Sequence, residues 1–329
     1  MNSSSGMNMR RLCTEYLLSK NVDMNFDYAS EIAIIAINSV LTLPTIALNL
    51  FVITTIIKTP SLRKPSNILL CMLAFTDLGV GVIIQPLYIV RKIAVLMEDL
   101  TLYCRLLQCG DILAHLICVP SFFIVTATSV DRYLAITTGV RYRQIVTTFR
   151  VICAGIGSFM LAVLVTMTRI LANKEKFMSL AALVMFACLC VIIYSYTKSV
   201  TALKNLQNKV AIGSPDSSGR KQARCVIDVD KYKHALGTLV MVTTVLFFCY
   251  IPFVSVVIGI AINGRSRSMN TAREATFSLL YLNSCLTPMV YSCRSKELRE
   301  AGLRLLRLKR RGSDPTVSTT HFDQTAIEM

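Results

Sequence analysis

The chain has 329 residues, of which 53% are hydrophobic and only 16% are charged. Its apolar residues gather into runs of about 20 or more, the length that a helix needs to cross the roughly 30 Å hydrocarbon core of a bilayer. This pattern excludes a soluble globular domain, whose helices each carry a single apolar stripe. The formal net charge of +16 would suit a nucleic-acid partner, but orientation in a membrane explains the placement of the basic residues better, and we expect no nucleic-acid binding.

In chain order, a polar segment comes first and seven apolar spans follow. Residues 1–30 lack an apolar core of the signal-peptide type, and we predict an extracellular N-terminal segment there. Residues 31–293 form the predicted seven-transmembrane domain, an all-α membrane protein built as a helix bundle. The second span carries Arg91 and Lys92 at its outer end, and we expect it to end before them. The predicted spans are residues 31–57, 66–93, 106–135, 150–171, 178–203, 235–262 and 275–293.

Two segments follow the last span. Residues 294–311 alternate leucines with basic residues at helical intervals, which predicts an amphipathic helix on the inner membrane surface, against anionic membrane lipids. A solvated basic tail is the alternative. Residues 312–329 are polar and rich in hydroxyl side chains, and we predict a disordered cytoplasmic tail.

The distribution of Lys and Arg predicts the orientation. With the N-terminus outside, the inner segments carry 22 of the 35 basic residues and the outer segments carry 12. We therefore predict a multi-pass protein of the plasma membrane with an extracellular N-terminus and a cytoplasmic C-terminus. Asn2 begins an Asn-Ser-Ser sequon on the outer side and is a candidate glycosylation site.

Few ionisable side chains lie within the spans, where they are costly and mark functional sites. Asp77 lies in the middle of the second span, Asp131 and Arg132 close the third, and Asp111 and His115 lie near the outer end of the third. Nothing in the sequence resembles a nucleophile–base pair, a phosphate loop or a set of metal ligands at helical spacing, so we predict that the protein is not an enzyme.

Five short motifs, in register with the spans, resemble those of the rhodopsin-like (class A) G protein-coupled receptors. Asn49 lies in the first span, and Asp77 ends Leu-Ala-Phe-Thr-Asp in the second. Asp131 opens Asp-Arg-Tyr, the most specific match, Pro252 ends Cys-Tyr-Ile-Pro, and residues 287–291 read Thr-Pro-Met-Val-Tyr. The resemblance covers essentially the whole chain. It implies a receptor that transmits the binding of an extracellular ligand to heterotrimeric G proteins by helix rearrangement.

The resemblance implies a switch at the inner end of the bundle. Asp131 would hold Arg132 in the resting state, and the released arginine would meet the G protein. Pro252 would be the pivot of the sixth helix. Tyr194 is the alternative to Tyr196 in this set, because the register of the fifth span leaves both open. The predicted switch residues are Asp131, Arg132, Tyr133, Tyr196, Pro252 and Tyr291.

The resemblance also implies an allosteric sodium ion and no other cofactor. Asp77 would bind the ion, and oxygen-bearing neighbours would complete the shell that a hard cation prefers. A protonated Asp77 with no ion is the alternative. Thr287 stands where the family usually has asparagine, which would weaken the site. The predicted sodium ligands are Asp77, Ser121, Asn283, Ser284 and Asn49.

Several family features are absent. The chain contains no tryptophan, and Tyr250 stands where the sixth-helix motif has one. No cysteine lies in residues 169–180, so the usual bridge from the third helix to the second outer loop is not expected. Cys13 could pair with Cys104 or with Cys109. A short second outer loop and a fifth helix without proline are faintly similar to melanocortin and lipid receptors, and the subfamily stays unplaced.

The ligand is only partly constrained. Ala114 stands where amine receptors have a carboxylate, which disfavours a biogenic amine. Asp111 could attract a basic peptide or be a solvated acid, and a peptide, a nucleoside or a lipid mediator would each suit the predicted pocket. The predicted ligand-binding residues are Asp111, His115, Cys118, Tyr250, Tyr281, Gln85 and Tyr88.

The expected partners are those that the resemblance implies. They are an extracellular ligand, a heterotrimeric G protein, arrestin, receptor kinases and membrane lipids. Two alternatives remain: a seven-helix scaffold without G-protein output, and a small-solute transporter. The transporter alternative is weakened because neither internal repeats nor broken helices in matching halves are visible.

Overall fold

The computed structural model describes residues 28–171, 174–212, 219–264 and 266–311. Within these ranges the chain is helical, with no strand. The N-terminal residues up to 27, including the sequon at Asn2, and the tail from residue 312 lie outside the described residues. The long helices are α1 (Tyr28–Lys58), α2 (Pro65–Leu96), α3 (Leu100–Thr137), α4 (Thr148–Leu171), α5 (Lys174–Ile212), α6 (Gly219–Asn263), α7 (Arg267–Arg294) and α8 (Lys296–Arg311).

Helices α1 to α7 form a closed bundle. Contacts run between α1 and α2, α2 and α3, α3 and α4, α3 and α5, α5 and α6, α6 and α7, and back from α7 to α1. Buried polar side chains lie inside the bundle, while large apolar side chains are exposed on its periphery, as a lipid-facing surface requires. The predicted all-α bundle is confirmed.

Six of the described helices are long and apolar enough to cross a membrane, namely α1 to α6. Helix α7 is the most polar of the seven because it buries hydrophilic side chains, among them Asn270, Glu274, Ser278 and Ser284, against its neighbours. A helix shielded by other helices does not need a fully apolar surface.

Helix α2 is longer than predicted. It continues to Leu96, past Arg91 and Lys92, and the prediction that it ends before them is wrong. The reason is that both bases are buried in ion pairs, so their charge does not force them into water. Other helices also begin earlier than predicted, α6 at Gly219 in place of residue 235, because their polar ends extend beyond the apolar run.

An irregular turn in α2 determines which side chains of the outer half of this helix point into the bundle. Residues Val80–Ile84 form a π-helical turn immediately before Pro86. Proline lacks the N–H that would bond four residues back, and its ring clashes with that carbonyl, so the wide turn relieves the conflict. The extra residue rotates the outer half of α2. Gln85, Tyr88 and Lys92 are all buried there.

Helix α8 packs against the inner end of α1. Leu298 is buried with Val52, Ile53 and Ile56. Gly302 allows the close approach, since a Cβ at this position would collide with the ring of Phe51. The predicted helix after the last span is present, and its placement on the membrane surface stays a prediction.

We predict that Gly302→Ala lowers the melting temperature. Alanine favours a helix over glycine by about 1 kcal/mol, but forcing atoms into a packed contact costs about 1–3 kcal/mol. The net loss should be on the order of 1 kcal/mol. A thiol-reactive dye can follow unfolding, because free Cys71 and Cys249 are buried in the folded protein.

The matched control is Gly157→Ala on α4, where an added Cβ meets nothing within 4 Å. This control should keep or raise the melting temperature. The double variant Gly302→Ala/Phe51→Leu should recover part of the loss. Equal melting temperatures for Gly302→Ala and the wild type would contradict the packing.

Candidate functional site

At the inner end of the bundle, Asp131 is buried and receives three donors. The Arg132 guanidinium pairs with its Oδ2. The Ser66 hydroxyl, at the start of α2, donates to Oδ2 over 2.9 Å. The Tyr142 hydroxyl donates to Oδ1. The carboxylate therefore joins α2, α3 and the connection between α3 and α4, and we call Ser66, Asp131, Arg132 and Tyr142 the inner clasp.

Tyr142 begins a one-turn helix, Tyr142–Ile145, between α3 and α4. Burial and its hydrogen bond to the Asp131 carboxylate raise the pKa of the Tyr142 phenol to about 12. The phenol is therefore a neutral donor throughout the physiological pH range. Sequence analysis predicted the Asp131–Arg132 pair and missed Ser66 and Tyr142, which lie 65 and 11 residues from Asp131 along the chain.

The other predicted switch residues lie around the clasp. Tyr291 packs against two buried apolar clusters at the inner half of the bundle, one of which contains Leu246 of α6. The ring of Tyr133 meets that of Tyr194 edge-to-face, with centroids 6.3 Å apart. Tyr194 is 55% and Tyr196 37% exposed. The ring contact places Tyr194 beside Tyr133, and the function of either α5 tyrosine stays a prediction.

A polar cluster lies in the middle of the bundle. Asp77 is buried and hydrogen-bonded by the Ser284 side chain. The Asn49 amide donates to the backbone oxygens of Thr45 and Ser284. Among the described residues, Asp77 Oδ2, Asn49 Oδ1 and Asn283 Oδ1 are buried oxygens without a hydrogen-bond donor.

The Ser121 hydroxyl donates to Thr76 Oγ1 over 2.9 Å. Three of the five predicted sodium ligands, Asp77, Asn49 and Asn283, offer unpaired oxygens. Binding of an ion by Ser121 and by the other four stays a prediction.

The predicted ligand pocket is aromatic in its lower part. Tyr250 meets Phe122 edge-to-face at 4.7 Å between centroids. Tyr88 meets Tyr281 at 5.3 Å and Phe277 at 6.0 Å. The structure thus brings Tyr88 and Tyr281 together. Pro252 lies two residues after Tyr250 in α6.

The remaining predicted pocket residues differ in their surroundings. Cys118 packs with Tyr88 and Tyr281 in one apolar cluster. The His115 ring bonds to the backbone oxygen of Asp111 on its own helix. Gln85 is 0% exposed, and neither its amide nitrogen nor its amide oxygen has a partner among the described residues. A buried unpaired polar group costs about 1–3 kcal/mol.

Five charged side chains, four of them buried and Arg273 partly exposed, form a group at the outer ends of α1, α2 and α7, which we call the outer ion cluster. Glu274 accepts hydrogen bonds from Arg91 at 3.0 Å and Arg273 at 2.9 Å, and pairs with Lys92 at 3.0 Å. Lys92 also pairs with Glu31 at 2.9 Å. Sequence analysis missed this cluster and placed Arg91 and Lys92 among the solvated outer bases.

Cys104 on α3 is disulfide-bonded, and its partner lies outside the described residues. Cys109 has a free thiol. The Cys13–Cys109 alternative is therefore wrong.

Seven helices in a closed bundle, with an Asp–Arg clasp at the inner end and aromatic side chains toward the outer end, define a seven-transmembrane receptor. The sequence profile of "7 transmembrane receptor (rhodopsin family)" matches residues 48–179 and 172–291. The match covers more than half of the chain, and the protein belongs to this family. The expected class A resemblance is confirmed.

Individual relatives are distant. The "Alpha-1D adrenergic receptor" of Homo sapiens is 23% identical over 314 residues, which cover 80% of this chain and 54% of that receptor. The "5-hydroxytryptamine receptor 1F" of Rattus norvegicus is 39% identical over 118 residues, 35% of this chain and 31% of the relative. The "5-hydroxytryptamine receptor 1D" of Homo sapiens is 34% identical over 116 residues, 35% of this chain and 30% of the relative. The chain spans about half the length of the first relative and about a third of the other two.

We predict that Lys92→Met destabilises the protein by about 3–5 kcal/mol, because it leaves the Glu31 carboxylate buried without its lysine. Glu31 and Lys92 are each 2% exposed. The double variant Lys92→Met/Glu31→Gln should recover most of the loss. Melting temperatures in lipid nanodiscs measure both.

The matched control is Lys64→Met. Lys64 pairs with Glu297 at 2.8 Å, but the Lys64 side chain is 53% exposed. Exposed pairs contribute about 0–1 kcal/mol. Similar losses for Lys92→Met and Lys64→Met would contradict the buried network.

Proposed function

We propose that this protein is a plasma-membrane receptor that transmits the binding of an extracellular ligand to a heterotrimeric G protein. The observation that carries the proposal is the inner clasp, in which one buried carboxylate holds Arg132 beside the inner surface. The extracellular N-terminus and cytoplasmic C-terminus are part of the same proposal, supported by the distribution of Lys and Arg.

The clasp can act as a two-state element. Asp131 is bound by Ser66 and Tyr142 as well as by Arg132, so it keeps two donors when the guanidinium leaves. The Asp131 carboxylate therefore keeps hydrogen-bond donors after Arg132 has left, which lowers the free energy needed to separate the pair. Arg132 is partly exposed and can exchange the carboxylate for water or for a G protein.

The outer half of the bundle is the proposed ligand site. Tyr250 and Phe122 lie between this half and the inner clusters, so a ligand that displaces Tyr250 would also disturb α6 beside Pro252. The names of the relatives refer to amine receptors, but Ala114 offers no carboxylate to an ammonium group. The proposed ligand is a peptide, a nucleoside or a lipid mediator. Arrestin, receptor kinases and membrane lipids are proposed as further partners.

To test coupling, we propose to reconstitute the full chain in nanodiscs and to measure nucleotide exchange on each G-protein class without ligand. Asp131→Asn weakens the hold on Arg132, and we expect at least a several-fold rise in exchange for one class. The double variant Asp131→Asn/Arg132→Ala should return exchange to the level without receptor.

The control is Asp131→Asn/Arg304→Ala, because Arg304 on α8 is a solvated base away from the clasp. It should keep the raised exchange. If folded Asp131→Asn stimulates none of the G-protein classes, the scaffold without G-protein output becomes the better function.

We further propose that a sodium ion binds beside Asp77. Three buried oxygens without donors, from α1, α2 and α7, fit a hard cation, which would supply a positive charge to the Asp77 carboxylate. Asn49, Asn283 and Ser284 would complete the shell with Asp77. A protonated Asp77 remains the alternative.

We predict that sodium chloride raises the melting temperature of the wild type above that in choline chloride at equal ionic strength, because an ion that binds only the folded state stabilises it. The rise should saturate and should be absent in Asp77→Asn. Ser121→Ala should keep most of the rise, since the Ser121 hydroxyl is directed to Thr76. A wild type that does not distinguish sodium from choline has no such site.

A further inference from the structure

The outer ion cluster has a surplus of positive charge. Its three bases, Arg91, Lys92 and Arg273, face two carboxylates, Glu31 and Glu274. The four buried members sum to zero, and Arg273, whose side chain is 25% exposed, adds one positive charge at the edge of the group. An anionic group of a ligand could reach this charge from outside.

Both carboxylates already pair with bases of the cluster. Glu274 accepts from all three bases and also from the Tyr88 hydroxyl, at 3.2 Å on Oε2. Glu31 accepts from Lys92 on Oε1, while its Oε2 has no hydrogen-bond partner among the described residues.

Donors, by contrast, remain unused. The Nε atoms of Arg91 and Arg273 are buried and have no hydrogen-bond partner among the described residues. The same holds for the amide nitrogen of Gln85, two helical turns inward from Arg91 and Lys92 on the same helix. An arginine Nε–H forms a strong hydrogen bond to a carboxylate, and in both arginines the neighbouring Nη2 already contacts Glu274.

The aromatic layer adjoins this group. The Arg91 guanidinium lies over the Tyr88 ring at 4.8 Å from its centroid, and Tyr88 contacts Tyr281 and Phe277. The arginines could therefore bind an anionic group of a ligand, and the aromatic side chains beside them could contact its aromatic or apolar part.

From this geometry we infer that the ligand carries a carboxylate, which accepts from the unpaired Nε–H groups of Arg91 and Arg273, while Gln85 donates to the ligand deeper in the bundle. The inference rests on the proposed receptor function and names the chemical class of its ligand. It narrows the candidates to carboxylate-bearing molecules, such as a fatty-acid-like lipid or a peptide with a free C-terminus.

One acid opposes this assignment. Asp111 lies on α3 at the same end of the bundle and has an interaction of its own. Its charge would repel a carboxylate and attract an ammonium group. The experiment therefore compares anionic, neutral and cationic probes of one shape.

The test uses the full chain in nanodiscs, with benzoate, benzamide and benzylamine as matched probes, and follows the melting temperature over a concentration series. Benzoate should raise the melting temperature to a plateau, and benzamide and benzylamine should not. Arg273→Gln should weaken benzoate binding at least tenfold. This variant should fold, because Arg273 is the most exposed of the three bases, and Glu274 keeps Arg91 and Lys92.

Two further variants sharpen the result. Gln85→Leu removes the unpaired amide, so it should raise the melting temperature without probe, and it should leave the affinity for benzoate unchanged, because the benzoate ring carries no acceptor for this amide. Arg105 is an exposed arginine at the outer end of α3, and Arg105→Gln should leave the affinity for benzoate unchanged.

Three results would overturn the assignment. They are no benzoate effect at any concentration, equal benzoate affinity in Arg273→Gln and the wild type, and a benzylamine effect that Asp111→Asn removes. The last would indicate a cationic ligand. Since this readout involves no G protein, a retained benzoate effect without nucleotide exchange would reject the proposed coupling and leave the carboxylate site standing.

Discussion

Charge buried between helices must be paired, and this constraint decides how the bundle is built. Apolar contacts alone give little preference between one helix neighbour and another in lipid, because the lipid chains are as apolar as the side chains. The ion pairs supply that preference. Glu274 requires the bases of α2, Lys92 requires Glu31 of α1, and together they bring the outer ends of α1, α2 and α7 to one place. Asp131 does the same at the inner end for α2, α3 and the connection to α4.

The same constraint explains two departures from a regular apolar bundle. Helix α7 is the least apolar of the seven, yet it closes the bundle between α6 and α1, because its polar residues have partners on α1 and α2. Asn38, for example, donates to the Ser278 hydroxyl at 2.8 Å. The π-helical turn in α2 is the second departure. It lies between Asp77 and the outer ion cluster, both of which are buried, and it rotates the outer half of α2 relative to the inner half.

Much of this could be predicted from sequence, and the failures have a common origin. The spans and the Asp131–Arg132 pair depend on residues close together in the chain, and both were predicted. Ser66, Tyr142 and the outer ion cluster depend on contacts between distant segments, such as the 183 residues between Arg91 and Glu274. A single sequence gives no sign of such pairs. The end of α2 was predicted wrongly for a related reason. We assumed that a charged residue such as Lys92 lies in water and therefore marks the end of a span.

The two charged sites differ in how easily they can be rearranged. The Arg132 guanidinium is paired with Asp131, its neighbour on the same helix, and the side chain is partly exposed, so water can replace the carboxylate. At the outer end, Glu31, Lys92 and Glu274 are buried, so water cannot replace a partner that is lost. An exchange of partners is therefore inexpensive at the inner end and costly at the outer end. It follows that α1, α2 and α7 form the fixed part of the outer bundle. A signal from an outer ligand then has to pass through the helices outside that network, α6 among them, and the contact of Tyr250 with Phe122 is where α6 meets α3 on the way to Asp131.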